Sequence, residues 1–105
     1  YEGEWQDGQR HGQGTATYPD GTVYKGQFVA GQREGTGEIT MPDGFKYSGA
    51  WKAGEISGQG IATYANGDTY EGTFRDGKRQ GEGKMRYASG QETSGKWENG
   101  ALVQE

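Results

Sequence analysis

Over the first six residues Tyr1, Gly3 and Trp5 alternate with Glu2, Glu4 and Gln6. From Gly12 to Tyr18, Gly12, Gly14, Ala16 and Tyr18 alternate with Gln13, Thr15 and Thr17. A period of two is the mark of a strand with one face turned to a core. Between the two stretches lies an Asp7-Gly8 turn and a short polar run through His11, read as loop. After the second, Pro19-Asp20-Gly21 reverses the chain, since proline presets φ and glycine is free to take φ > 0. The pattern predicts a β-hairpin.

The hairpin then recurs. Its opening tyrosine returns as Tyr24, Tyr47 and Tyr70, a period of 23 residues, and all 22 glycines fall on the third, eighth, twelfth, fourteenth and twenty-first positions of that period. The fifth position reads Trp5, Phe28, Trp51, Phe74 and Trp97, and the eighteenth Tyr18, Met41, Tyr64 and Tyr87; among the aromatics only Phe45 stands outside the register. The units are 1–23, 24–46, 47–69 and 70–92, with a partial unit at 93–105. Internal repetition at this period decides the fold class. The expectation is one all-β domain, an elongated single-layer twisted antiparallel β-meander of tandem hairpins, with about nine strands spanning roughly 40–45 Å at ~4.8 Å spacing. Glycine inside a strand costs ~0.5–1 kcal/mol relative to alanine. Its recurrence predicts that the rings at positions one, five and eighteen lie across the bare backbone of glycines three, twelve and fourteen on adjacent strands.

The resulting pattern, Y-x-G-x-(W/F) followed by D-G and G-x-G, resembles the MORN (membrane occupation and recognition nexus) repeat. The first unit, YEGEWQDGQRHGQGTATYPDGTV, and the fourth, YEGTFRDGKRQGEGKMRYASGQE, are similar to its consensus. Departures sit at Met41 and Thr93, where tyrosine is expected, and at Ile56, where the other units have Arg10, Arg33 and Arg79. The resemblance implies successive hairpins in a grooved sheet that serves protein interaction or assembly, sometimes at a membrane. Some members carry an additional enzyme domain, which this chain does not contain.

Composition narrows the alternatives. Only 29% of residues are hydrophobic, so a conventional core is excluded, and stacking of large rings between units must take its place. The net charge of −4 divides among the units as −3, 0, −1, +1 and −1, which argues against nucleic acid as a partner. The absence of cysteine excludes disulfides and thiolate chemistry. No apolar run approaches the ~20 residues of a membrane-spanning helix. This places the residues in solution or at a membrane surface. The chain begins at the first position of a unit without methionine, predicting a longer or processed parent, and its bare first strand predicts further repeats upstream or edge pairing between molecules. At the other end, Ala101, Leu102 and Val103 are expected to cap the last hairpin.

Catalysis finds no support. His11 is the single histidine, its equivalents are Glu34, Ser57 and Gln80, and it reads as a solvated loop residue. The Asp-Gly pairs lack the dense G-G-x-G-x-D spacing of calcium repeats. Neither cofactor nor metal is expected. The candidate site is the aromatic ladder, Tyr1, Trp5, Tyr18, Tyr24, Phe28, Tyr47, Trp51, Tyr64, Tyr70, Phe74, Tyr87 and Trp97, read chiefly as structure and also as the floor of a groove. Strand parity further predicts an apolar patch on the opposite face, Val29, Ala50 and Ile61, with Phe45 at its turn-side rim. The leading reading is a non-enzymatic scaffold that binds a protein segment or self-associates through its groove or edge strands. A second has anionic phospholipid headgroups meeting Arg10, Arg33, Lys78 and Arg79. A third, carbohydrate or cell-wall binding by aromatic platforms, lacks the adjacent aromatic pairs such repeats carry.

Overall fold

A computed structural model describes residues 1–103. It contains β1 (Glu2–Gln6), β2 (Gln9–Thr17), β3 (Val23–Val29), β4 (Gln32–Thr40), β5 (Lys46–Lys52), β6 (Glu55–Thr63), β7 (Thr69–Arg75), β8 (Lys78–Arg86), β9 (Glu92–Glu98) and β10 (Ala101–Leu102). All ten join one antiparallel sheet in chain order, and the sheet measures 50 × 24 × 16 Å. The expected nine strands become ten because Ala101 and Leu102 pair with Glu98 and Trp97. Val103 extends this cap by donating its backbone N–H to Lys96 O at 2.8 Å.

Two kinds of turn alternate along the meander. At Asp7-Gly8, Ala30-Gly31, Ala53-Gly54, Asp76-Gly77 and Asn99-Gly100, both central residues have positive φ, between 50° and 87°. This is the two-residue type I′ geometry, whose twist matches that of the flanking strands. The ladder therefore resumes at once, with Gln6 paired to Gln9. His11 accordingly lies within β2, half-buried, and not in the loop its polar surroundings predict. The other turn is closed by the Gly21 N–H on Tyr18 O at 2.9 Å and by the Asp20 carboxylate accepting from Thr22 N at 2.9 Å. That backbone N–H holds Asp20 below the usual carboxylate range.

Glycine forms a continuous row across the sheet. Gly3 pairs with Gly14, Gly14 with Gly26, Gly26 with Gly37 and Gly37 with Gly49, and the row runs on to Gly95. It exists because each unit's first tyrosine lies flat over it: a Cβ on Gly14, Gly37, Gly60 or Gly83 would sit inside the ring of Tyr1, Tyr24, Tyr47 or Tyr70. A register shift between the third and fifth positions frees the carbonyl of the fourth residue. The tyrosine hydroxyl donates to that carbonyl, from Tyr24 to Gln27 O and from Tyr47 to Ala50 O at 2.9 Å each. The fifth-position ring of one unit pairs across the sheet with the twelfth-position glycine of the unit before, as Phe28 does with Gly12 and Trp51 with Gly35. Trp51 and Trp97 also donate Nε1 to the glycine row, to Gly37 O at 3.0 Å and to Gly83 O at 3.2 Å.

The rings thereby interlock into one zigzag, Tyr1–Phe28–Tyr24–Trp51–Tyr47–Phe74–Tyr70–Trp97, with edge-to-face steps of 5.0–5.5 Å. Such contacts contribute about 0.5–1.5 kcal/mol each beyond area burial. Tyr24, Tyr47, Tyr70 and Phe28 are at most 1% exposed, so a single-layer sheet still acquires a dry core.

Candidate functional site

Two faces follow from strand parity. The ring-bearing face carries positions one, five, ten, sixteen and eighteen of each unit. The tenth position is the one that sequence pattern alone leaves as a loop basic residue. It pairs directly with the fifth-position ring, Arg33 with Phe28 and Arg79 with Phe74. From there Arg33 reaches over Tyr24 and Trp51, 5.8 and 4.8 Å from the ring centroids, and Arg79 over Tyr70 and Trp97 at 5.9 and 4.9 Å. Arg10 lies over Tyr1 and Phe28 in the same way.

These arginines also lock the next unit's turn. Gly54 N–H donates to Arg33 O at 2.9 Å while the Arg33 guanidinium donates to Gly54 O at 2.8 Å. Arg79 and Gly100 repeat the exchange, with Nε donating at 3.1 Å. Arg10, Arg33 and Arg79 are thus built into the ladder, and of the four predicted headgroup contacts only Lys78 stands free of it on an exposed strand position. The guanidinium groups nevertheless keep unused N–H donors, since each has five. Both ion pairs found among the described residues converge on Glu92, from Lys84 and Arg86, and neither involves these arginines. All strand glutamates except Glu34 alternate with the ring positions and face the other side, and Glu34 accepts from Ala53 N.

The eighteenth-position residues Tyr18, Met41, Tyr64 and Tyr87 form a half-buried rim packed against the ladder. Tyr18 and Tyr64 each belong with the tenth-position arginine of the following unit. Tyr18 and Arg33 line one depression of about 420 Å³, together with Asp20, Thr22, Ile39 and Met41. Arg79 lies over the Tyr64 ring at 5.6 Å from its centroid. In the central unit the equivalent residues are Met41 and Ile56, both partly buried against the core. Where tyrosine is replaced by methionine, arginine is replaced by isoleucine. Phe45 joins this central group, tilted against Tyr64 at 5.6 Å.

That placement corrects the expected outer patch. Phe45 lies on the ring-bearing side and not at the rim of the opposite face, because its turn position faces the next unit's Tyr64. Val29 and Ile61 are indeed exposed, at 48% each. They do not meet, however. Val29 pairs with Gln32 beside a turn, and Ile61 with Ser48 and Glu71 near the other end of the strands, on the order of 20 Å away by strand geometry. Ala50 is half-buried against Gly58. The central apolar departures that pack against the ring-bearing core, Met41, Phe45 and Ile56, were visible in the sequence as departures. Their common face became readable only once the tenth position was known to be a strand residue.

The ladder has the chiefly structural character that its sequence pattern predicts. Its inner rings are filled core, and burial pushes the hydroxyls of Tyr24 and Tyr47 up to about 12. Tyr64 is raised by burial too, against the opposing pull of Arg79. Trp5 is 60% exposed, since among the described residues β1 is the outermost strand of the sheet. A depression of about 660 Å³ lies on the opposite face over the glycine row, with mixed charges from Glu2, Lys25 and Glu38. It presents backbone and solvated side chains, and no ring.

Four consecutive MORN repeats are matched, at residues 1–23, 24–46, 47–69 and 70–92. The chain belongs to the MORN repeat family. A comparison with curated proteins finds no significant match. MORN repeats are non-enzymatic modules of protein and membrane-lipid interaction. For this MORN chain, the tyrosine, glycine and tryptophan positions that define the repeat are the ones interlocked in the core. The rim and the tenth position vary around them.

Proposed function

We propose that this MORN array is an interaction module that holds a segment of a partner protein along the rim of its ring-bearing face, and that residues 93–103 complete the array as a truncated fifth unit. The observation that carries the reading is the row of half-buried Tyr18, Met41 and Tyr64 beside Arg33 and Arg79, neither of which forms an ion pair among the described residues. A solvent-accessible apolar strip next to guanidinium groups that keep spare N–H donors is the composition of a recognition surface. The filled ladder supports it as a rigid floor. Linear peptides selected from a displayed random library against the chain test this: binding should fall at least about tenfold in Tyr18→Ser/Tyr64→Ser and remain unchanged in Val29→Ser/Ile61→Ser, with near-ultraviolet circular dichroism reporting the ladder intact. Loss in the second variant alone overturns it.

Exposed Trp5 on β1, the outermost strand among the described residues, favours a second reading, self-association through that strand. It predicts a dimer in concentration-dependent light scattering that Trp5→Lys abolishes. Unchanged monomer mass across concentration removes it.

A further inference from the structure

Four joints between units show what covers a fifth-position ring. Phe28 of β3 lies opposite Gly12 of β2, Gly26 opposite Gly14 and Tyr24 opposite Ala16. The same three positions of β5 face Gly35, Gly37 and Ile39, those of β7 face Gly58, Gly60 and Ala62, and those of β9 face Gly81, Gly83 and Met85. Each covering strand is antiparallel and reads Gly-x-Gly-x-apolar, and Phe28, Trp51, Phe74 and Trp97 are buried. Trp5 meets Tyr1 edge to face at 5.1 Å, as Phe28 meets Tyr24 at 5.0 Å. It stays exposed on β1, the outermost strand among the described residues.

The opposite face adds a requirement of charge. There β1 carries Glu2 and Glu4, both exposed, where the equivalent pairs are Lys25 and Gln27, Ser48 and Ala50, Glu71 and Thr73, and Ser94 and Lys96. None of the four joints sets like charges opposite one another at these positions, and the last sets Lys96 against Glu82. Two carboxylates on one open strand favour basic side chains directly opposite. The first unit's charge of −3 attracts a basic segment toward them. A second copy of β1 fits less well. Paired antiparallel about Gly3, it sets Glu2 against Glu4 twice and a tyrosine against Trp5, where each joint has glycine.

We infer that β1 pairs with an extended segment of a partner protein of the form Gly-basic-Gly-basic-Ala, its glycines opposite Trp5 and Gly3 and its basic side chains opposite Glu4 and Glu2. The inference rests on the open strand of the self-association reading and assigns it a different occupant. Strand addition supplies affinity through main-chain hydrogen bonds, and the alternating side chains select the partner. Glycine is required because Trp5 has to lie over the added backbone, as Trp51 does with its Nε1 on Gly37 O.

Fluorescence polarisation with labelled peptides tests the inference on the whole chain. Thr-Gly-Lys-Gly-Lys-Ala-Thr should bind at least about tenfold more tightly than its Glu-for-Lys and its Val-for-Gly counterparts. Glu2→Lys/Glu4→Gln gives β1 the pair that β3 already holds as Lys25 and Gln27. That variant should prefer the glutamate peptide, and Trp5→Ala should bind the lysine peptide at least about tenfold more weakly. Equal affinity of the lysine and glutamate peptides overturns the inference, as does equal affinity of the glycine and valine peptides. So does binding that is lost in Tyr18→Ser/Tyr64→Ser and kept in Trp5→Ala. If the chain forms a Trp5-dependent dimer and no peptide binds, the inference falls and the self-association reading stands. If the lysine peptide binds and the mass stays monomeric at every concentration, the inference stands and that reading falls.

Discussion

The tyrosine that opens each unit closes three gaps at once: its ring fills the space over a glycine, its edges meet two neighbouring rings, and its hydroxyl satisfies the carbonyl released by the bulge. Glycine at the fourteenth position is required by contact, and that requirement is open to test. Gly37→Ala should cost about 3 kcal/mol through collision with Tyr24. Gly77→Ala, whose Cβ meets nothing but whose φ is +80°, should cost only about 1 kcal/mol. Equilibrium urea unfolding of the two variants gives the comparison. Burial of the hydroxyls also sets an alkaline limit. A free tyrosine ionises near about 10, and Tyr24 and Tyr47 are pushed up to about 12. The neutral form is favoured by folding, so their contribution to stability is complete below about pH 10 and is lost as pH rises toward about 12. Denaturation midpoints should fall across that window, with tyrosinate absorbance rising in step. A midpoint flat through it contradicts the buried ladder.

At the scale of the element, the type I′ turns impose positive φ on residues that are not all suited to it. Asp7, Asp76 and Asn99 tolerate the left-handed conformation, while Ala30 and Ala53 hold it at φ 50°. Ala30→Asn and Ala53→Asn should each raise stability by about 0.5–1 kcal/mol, measured by thermal unfolding. The same turns explain where the sequence is readable and where it misleads. Alternation marks the tyrosine strands and the Gly-x-Gly strands cleanly, since their apolar positions repeat every second residue. The start of β2 at Gln9 is hidden, because Gln9, Arg10 and His11 are polar throughout and carry no period. Arg10, Arg33 and Arg79 consequently read as loop, and their contact with the rings is invisible until pairing places them opposite Trp5, Phe28 and Phe74. Phe45 is misread for a related reason: it follows a turn, where parity no longer fixes a face.

The whole molecule is a sheet with unlike faces. On one, rings, glycines and arginines repeat almost without variation and make a core. On the other, the residues between them vary freely and carry nearly all the strand carboxylates. Repetition makes the architecture legible, but the positions it consumes are those that build the core. On the ring-bearing face, one unit differs from the next chiefly at the rim, Met41 and Ile56 standing where the others have Tyr18 with Arg33 and Tyr64 with Arg79. Methyl nuclear magnetic resonance on the chain, titrated with a bound peptide, separates the two faces in one spectrum. The account predicts that the methyl signals of Met41 and Ile56 shift while those of Val29 and Ile61 stay in place. Shifts at Val29 and Ile61, with Met41 and Ile56 unmoved, would contradict it.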